Sequence, residues 1–229
     1  MSRVALVATL LITPVAAQAL DVRIDPHADL LYRQALPLLE QADNQDDGAA
    51  PLRTALGDDP ELNRQGQAMA RTLPTAVALL KKSVELGHPV AQYRLALYYT
   101  TYLPAGRIAD AACPLLEASL RQGFAPPATA IATWCSPYNA SPAYREALEA
   151  IPSMATLYAP YYPQPATRLA CARSHPQGLQ MQWGRQRDYQ AEVFRLLGEL
   201  DPQQRRNLLQ KAVEINGCVE AQQRLTSQR

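Results

Sequence analysis

The sequence predicts an all-α protein built from stacked helical hairpins. Three observations carry that expectation. Between Ala76 and Tyr99, the residues Ala76, Leu79, Leu80, Ser83 and Val84 fall at the i, i+3, i+4, i+7, i+8 spacing of an amphipathic helix. That helix is closed by Leu86-Gly87-His88-Pro89, where a glycine suited to the left-handed conformation precedes a proline suited to the first turn of another helix. The same pattern then returns. Leu79-Leu80 aligns with Leu115-Leu116, Ser83 with Ser119 and Gly87 with Gly123, at a constant offset of 123 − 87 = 36 residues. A fixed period of this size is how a helical-hairpin solenoid shows itself in sequence.

Taken from the start, Arg3, the apolar run Val4 to Val15 and the small residues Ala17-Gln18-Ala19 read as a secretory signal peptide over 1–19, cleaved before Leu20. The run is shorter than the ~20 apolar residues of a spanning helix, and Pro14 breaks it. The mature chain, 20–229, is therefore expected to be periplasmic, with no stable membrane span after cleavage. Its charge is balanced, 22 − 1 = 21 basic against 21 acidic residues, and no basic stripe points to nucleic acid.

Asp25-Pro26 reads as a stop before the first helix, with Asp29 or a neighbour as its cap and Pro37 as a kink or restart. Asp43 to Gly48 reads as a solvated loop, and Pro51 to Leu56 as a return helix. A helix from Asp59 to Arg71 is expected to restart at Pro74, capped by Thr72 or Thr75. Beyond the second hairpin the period fades. Ser141-Pro142 opens a helix to Ala150, and another is expected over Ala166 to Ser174. Gly178 to Trp183 alternates like a strand but has no evident partner, so it reads as a loop. Asp188 to Leu200 is helical, Asp201-Pro202 starts the next helix, and Gly217 to Leu225 repeats Gly87 to Leu95 in its Gly, Ala, Gln, Arg and Leu.

Helix, glycine, small residue and Ala-x-x-x-Leu-x-x-x-Tyr at this period resemble the Sel-1-like repeats, relatives of the tetratricopeptide repeats. The likeness is carried by 76–135 and 207–225, with an aromatic pair at Tyr98-Tyr99. It implies a right-handed α–α superhelix interrupted by a Pro/Tyr-rich segment, and a protein-protein scaffold or adaptor in the cell envelope. Some cysteine-rich relatives are linked to penicillin binding.

Cys113, Cys135, Cys171 and Cys218 are an even set in an exported chain, so two disulfides are expected out of three possible connectivities. Cys113 lies near the start of one helix and Cys135 near the end of its antiparallel partner, which pairs them; elimination then pairs Cys171 with Cys218. No CxxC suggests redox chemistry, and the dispersed cysteines do not suit zinc. His27, His88 and His175 each neighbour a proline, as turn or capping residues do. There is no HExxH, GxSxG, SxxK or phosphate loop, so no enzyme, metal or cofactor is expected. Tyrosine is abundant, 11 against two Phe and two Trp. Tyr98 and Tyr99 are expected in the seam between hairpins; Tyr93, Tyr102, Tyr158, Tyr161 and Tyr162 are the candidates for contact with a protein partner or, alternatively, a peptidoglycan or polysaccharide fragment.

Overall fold

The computed structural model describes residues 23–53, 60–166, 168–172 and 182–227. The proposed signal peptide and His175 lie outside them. The described chain is predominantly helical, and among the described residues no helix is long and apolar enough to cross a membrane.

Helix α1, Pro26–Arg53, packs against α2, Pro60–Glu85. Asp25, not Asp29, caps α1: its Oδ1 accepts from the backbone N–H groups of His27 and Ala28 at 2.8 and 2.9 Å. The expected loop over 43–48 and the described part of the return helix, 51–53, belong to an uninterrupted α1 as far as Arg53, residues 54–56 lying outside the described chain, and α2 runs through Pro74 without a restart. Pro37 and Pro74 both lie on exposed faces. A proline removes one helical hydrogen bond, and on a wet face water can satisfy the freed carbonyl, so neither proline ends its helix.

The central hairpin is α2 followed by α3, Pro89–Tyr102; the next is α4, Ala105–Arg121, followed by α5, Pro127–Trp134. Their turns are alike. Gly87 and Gly123 have φ of 81° and 84°, and in each turn the glycine N–H and the following N–H return to the preceding helix end: Gly87 to Val84 and His88 to Ser83, Gly123 to Leu120 and Phe124 to Ser119. Ser83 and Ser119, 36 residues apart, are fully buried, and each donates its hydroxyl at 2.7 Å to a backbone carbonyl at the start of an earlier helix, Ala28 for Ser83 and Pro89 for Ser119.

After α5 the chain narrows into short elements. Ser141 caps α6, Pro142–Ala150, as expected. Turns at Ile151–Met154 and Ala159–Tyr161 flank the single-turn α7, Ala155–Tyr158. Ala166, the expected start of a helix, ends β1, Gln164–Ala166, and 168–172 is turn and coil, the rest of that expected helix lying outside the described residues. Strand β1 supplies a partner for the described end of the stretch from Gly178 to Trp183, whose residues 178–181 also lie outside them. It pairs antiparallel with β2, Gln182–Gly184, with Pro165 opposite Trp183. The chain ends in α8, Gln186–Leu200, α9, Arg205–Asn216, and α10, Val219–Thr226, where Gly217 again takes a left-handed turn at φ 76°.

An aromatic chain docks the Pro/Tyr-rich segment onto the hairpins. Ring centroids lie 5.9 Å apart for Tyr93 and Phe124, 5.1 Å for Phe124 and Tyr158, and 5.8 Å for Tyr162 and Tyr189. The hydroxyls do the polar half of the work: Tyr93 donates to Pro165 O, Tyr189 to Gln164 O and Pro165 O, and Tyr158 to Gln122 O. The Tyr93 and Tyr189 bonds satisfy buried carbonyls of β1, and the Tyr158 bond satisfies the carbonyl of Gln122 at the end of α4.

Both expected disulfides are present. Cys113–Cys135 closes the α4–α5 hairpin, and Cys171–Cys218 joins the segment after β1 to the turn before α10. Two disulfides fit an oxidising compartment.

Candidate functional site: an aromatic cleft

A cleft of about 120 Å³ lies between α1, α3 and the Tyr161–Gln164 segment, with β2 at its rim. Helix α1 contributes Tyr32, Arg33, Leu36 and Glu40; α3 contributes Arg94; the Pro/Tyr segment contributes Pro160, Tyr161, Tyr162, Pro163 and Gln164; β2 contributes Trp183. Tyr32 and Leu36 lie on the inward face of α1 because they are one helical turn apart.

A polar knot anchors this wall. Asp29 Oδ2 accepts from Arg33 Nε at 2.7 Å, while Asp29 Oδ1 accepts from the Tyr161 hydroxyl at 2.7 Å and faces His88 Nε2 at 3.3 Å. His88 Nδ1 accepts from the backbone N–H groups of Val90 and Ala91 at 3.2 and 3.3 Å, capping α3. An imidazole nitrogen that accepts carries no proton, so His88 is neutral, protonated at Nε2, and donates to Asp29. Tyr32 stacks on the imidazole at 5.0 Å and Tyr161 meets it edge-on at 5.6 Å.

Electrostatics follow the same logic. Burial lowers the His88 pKa below the ordinary value of 6.5, against the pull of Asp29. Burial pushes the Asp29 carboxyl up, but the hydrogen bonds from Arg33, Tyr161 and His88 outweigh it and hold its pKa below 3.8. Burial, reinforced by the bond to Asp29, raises the Tyr161 phenol far above the ordinary tyrosine value, so this hydroxyl is a fixed donor.

The knot is built for position. A His–Asp pair serving as a base needs one imidazole nitrogen turned to a substrate, and here both are engaged inside the fold with the residue 1% exposed. Among the described residues no group of three or more His, Cys, Asp or Glu is placed to hold a metal.

A pH dependence follows. The folded His88 binds a proton less readily than the unfolded one, so as pH falls below 6.5 the unfolded chain takes up a proton that the folded chain refuses, and stability declines. Asn at position 88 would keep an N-cap acceptor without titrating. Urea unfolding at pH 7 and pH 5.5 should show wild type losing more stability than His88→Asn over that interval; equal losses would remove His88 as the source.

The walls carry the recognition surface. Trp183 is 41% exposed, and the guanidinium of Arg94, a residue only 5% exposed, sits 5.6 Å from its ring centroid. Arg33 likewise lies 5.7 Å from the Tyr161 ring. Gln164, 2% exposed, donates its amide Nε2 to Tyr32 Oη and to Tyr161 O, which fixes the amide orientation; its Oε1 is buried with no hydrogen-bond partner.

Of the five tyrosines singled out in sequence, Tyr161 and Tyr162 line the cleft. Tyr93 and Tyr158 do not: they are 0% and 1% exposed and belong to the core, because their hydroxyls find backbone acceptors there. Tyr102 is 44% exposed at the end of α3, packed at 4.9 Å on Tyr98 and outside the cleft lining. Tyr98 and Tyr99 pack partly buried against the core, as expected of a seam. Sequence reasoning missed Tyr32, Arg33, Glu40, Arg94, Gln164 and Trp183, which only the fold brings together.

A second hollow, of about 250 Å³, lies between α5, α8 and α10. Apart from Arg168, its charges form a chain: Glu192 with Arg195, Arg195 with Glu199, Glu199 with Arg224 and Arg224 with Glu220. It reads as a clasp between elements.

Compared with family models, curated proteins and solved structures, the chain matches none.

Proposed function

We propose that the protein is an exported Sel-1-like repeat protein that acts as a scaffold or adaptor in the periplasm, holding an envelope component at the aromatic cleft and catalysing no reaction. The observation that carries the repeat reading is the recurrence, at 36 residues, of the same turn and the same buried seryl hydrogen bond at Ser83 and Ser119. A side chain that repeats its bond to an earlier helix supports a stack of equivalent hairpins, and the resemblance to Sel-1-like repeats implies that the stack is a right-handed superhelix. Two disulfides favour export. A hydrolase of the β-lactamase type is disfavoured by the missing serine motif, and a histidine-based hydrolase by the occupied nitrogens of His88.

Binding is favoured by rigidity: aromatic and guanidinium groups held in place by the Asp29 knot lose little freedom when a partner arrives. The test is affinity capture from an envelope extract with wild type and Trp183→Ala as paired baits. An envelope component retained by wild type and lost with Trp183→Ala is expected. Identical recovery with both baits would remove the cleft from the function.

A further inference from the structure

We propose that the ligand of the aromatic cleft is a neutral saccharide unit, so that the envelope component held there is a polysaccharide. The inference rests on the reading of the cleft as a binding site and specifies what enters it.

Charge comes first. The lining has Arg33 and Arg94 against Glu40, and Asp29 directly neutralises Arg33, so the balance is zero. A cleft without net charge gives no advantage to an anionic or cationic ligand. Hydrogen-bonding chemistry comes second. The Arg33 guanidinium, more than half exposed at the rim, offers donors, the exposed Glu40 carboxylate offers acceptors, and the lining includes Gln164, whose Oε1 is a buried acceptor without a hydrogen-bond partner and whose Nε2 is held by Tyr32 and Tyr161. The complement of mixed planar donors and acceptors is a set of neighbouring hydroxyls, each able to donate and accept. Shape comes third. Trp183 is a half-open indole steadied by Arg94, with Tyr161 and Tyr162 beside it, and the apolar C–H face of a sugar ring packs on such a surface. A peptide side chain would find only Leu36 and the prolines 160 and 163 as aliphatic walls.

The test titrates the full mature protein, disulfides intact, with triacetylchitotriose, cellotriose and maltotriose, and with a proline-rich peptide as the competing class. The chain has two tryptophans, Trp134 and Trp183, so the emission change that is absent in Trp183→Ala is the part that reports on the cleft, and calorimetry covers variants that lack Trp183. A saturable emission change with at least one trisaccharide is expected, with an affinity about tenfold weaker in Glu40→Gln and lost in Trp183→Ala, both exposed positions that leave the fold intact. No saturable response to any trisaccharide, or a response that survives Trp183→Ala, overturns the inference. Binding of the peptide alone, lost in Trp183→Ala, overturns the saccharide while preserving the cleft as a binding site. If Trp183→Ala alters neither ligand binding nor envelope capture, the broader reading fails as well.

Discussion

Glu192→Ala should destabilise the protein by about 3–4 kcal/mol, because this carboxylate is 1% exposed and both of its oxygens are in use. Oε1 accepts from the backbone N–H of Cys171 at 2.6 Å, and Oε2 accepts from Arg195 Nε at 2.8 Å. Its removal orphans a buried N–H and leaves Arg195 with Glu199 as its remaining carboxylate. Breaking a buried ion pair by removing one partner costs up to about 5 kcal/mol, because the other charge is left stranded; the surviving Glu199 contact to Arg195 keeps the figure below that. Glu192→Gln retains one acceptor but turns an N–H₂ toward another donor, so its cost should fall between wild type and Ala. Urea unfolding measures both, and a loss under about 1 kcal/mol for Glu192→Ala would show that the clasp adds little.

Removing the Cys171–Cys218 bridge should cost about 4 kcal/mol, more than the roughly 3 kcal/mol expected for Cys113–Cys135, because it closes 47 residues of separation against 22. Locality matters as much as size. Cys171 is also held by Glu192 at its N–H and by Asn216 Nδ2, which donates to its carbonyl at 2.7 Å. The paired Cys171→Ser/Cys218→Ser variant should therefore raise hydrogen exchange around 168–172 and in α10, while the Cys113→Ser/Cys135→Ser variant leaves that region protected. Since the bridge and Glu192 hold the same segment, combining their removal should cost less than the sum of the two. Additive losses would mean that they act on separate parts of the fold.

The hairpins were legible because their signals are local. Gly87, Gly123 and Gly217 each stand where a positive φ closes a helix, and the serines at 83 and 119 keep the same offset from their glycines. Helix lengths were less legible. Pro37 and Pro74 act as breakers by local rules, yet both face water, and the α1–α2 packing continues past them. The β1–β2 pair escaped because Gln164-Pro165-Ala166 has no alternation of its own; Tyr93 and Tyr189, distant in sequence, supply the bonds that hold it.

The cleft was half legible. Tyrosine enrichment among prolines pointed to Tyr161 and Tyr162, and that segment does form one wall. The opposite wall depends on Asp29 meeting Tyr161 across 132 residues, a contact that no spacing rule reaches. Tyr93 and Tyr158 misled for a physical reason: a tyrosine can be wholly buried once its hydroxyl finds a backbone carbonyl, so abundance alone does not separate a recognition ring from a core ring.

The central claim is that the cleft is the contact face, and site-directed photocrosslinking in the envelope tests it most directly. A benzophenone amino acid is placed at Glu40, exposed on the rim of the cleft with Trp183 left in place, and as a control at Asn207, exposed on α9. The account predicts a covalent adduct from position 40 and none of comparable yield from position 207. Equal adducts from both positions, or none from position 40, would contradict it.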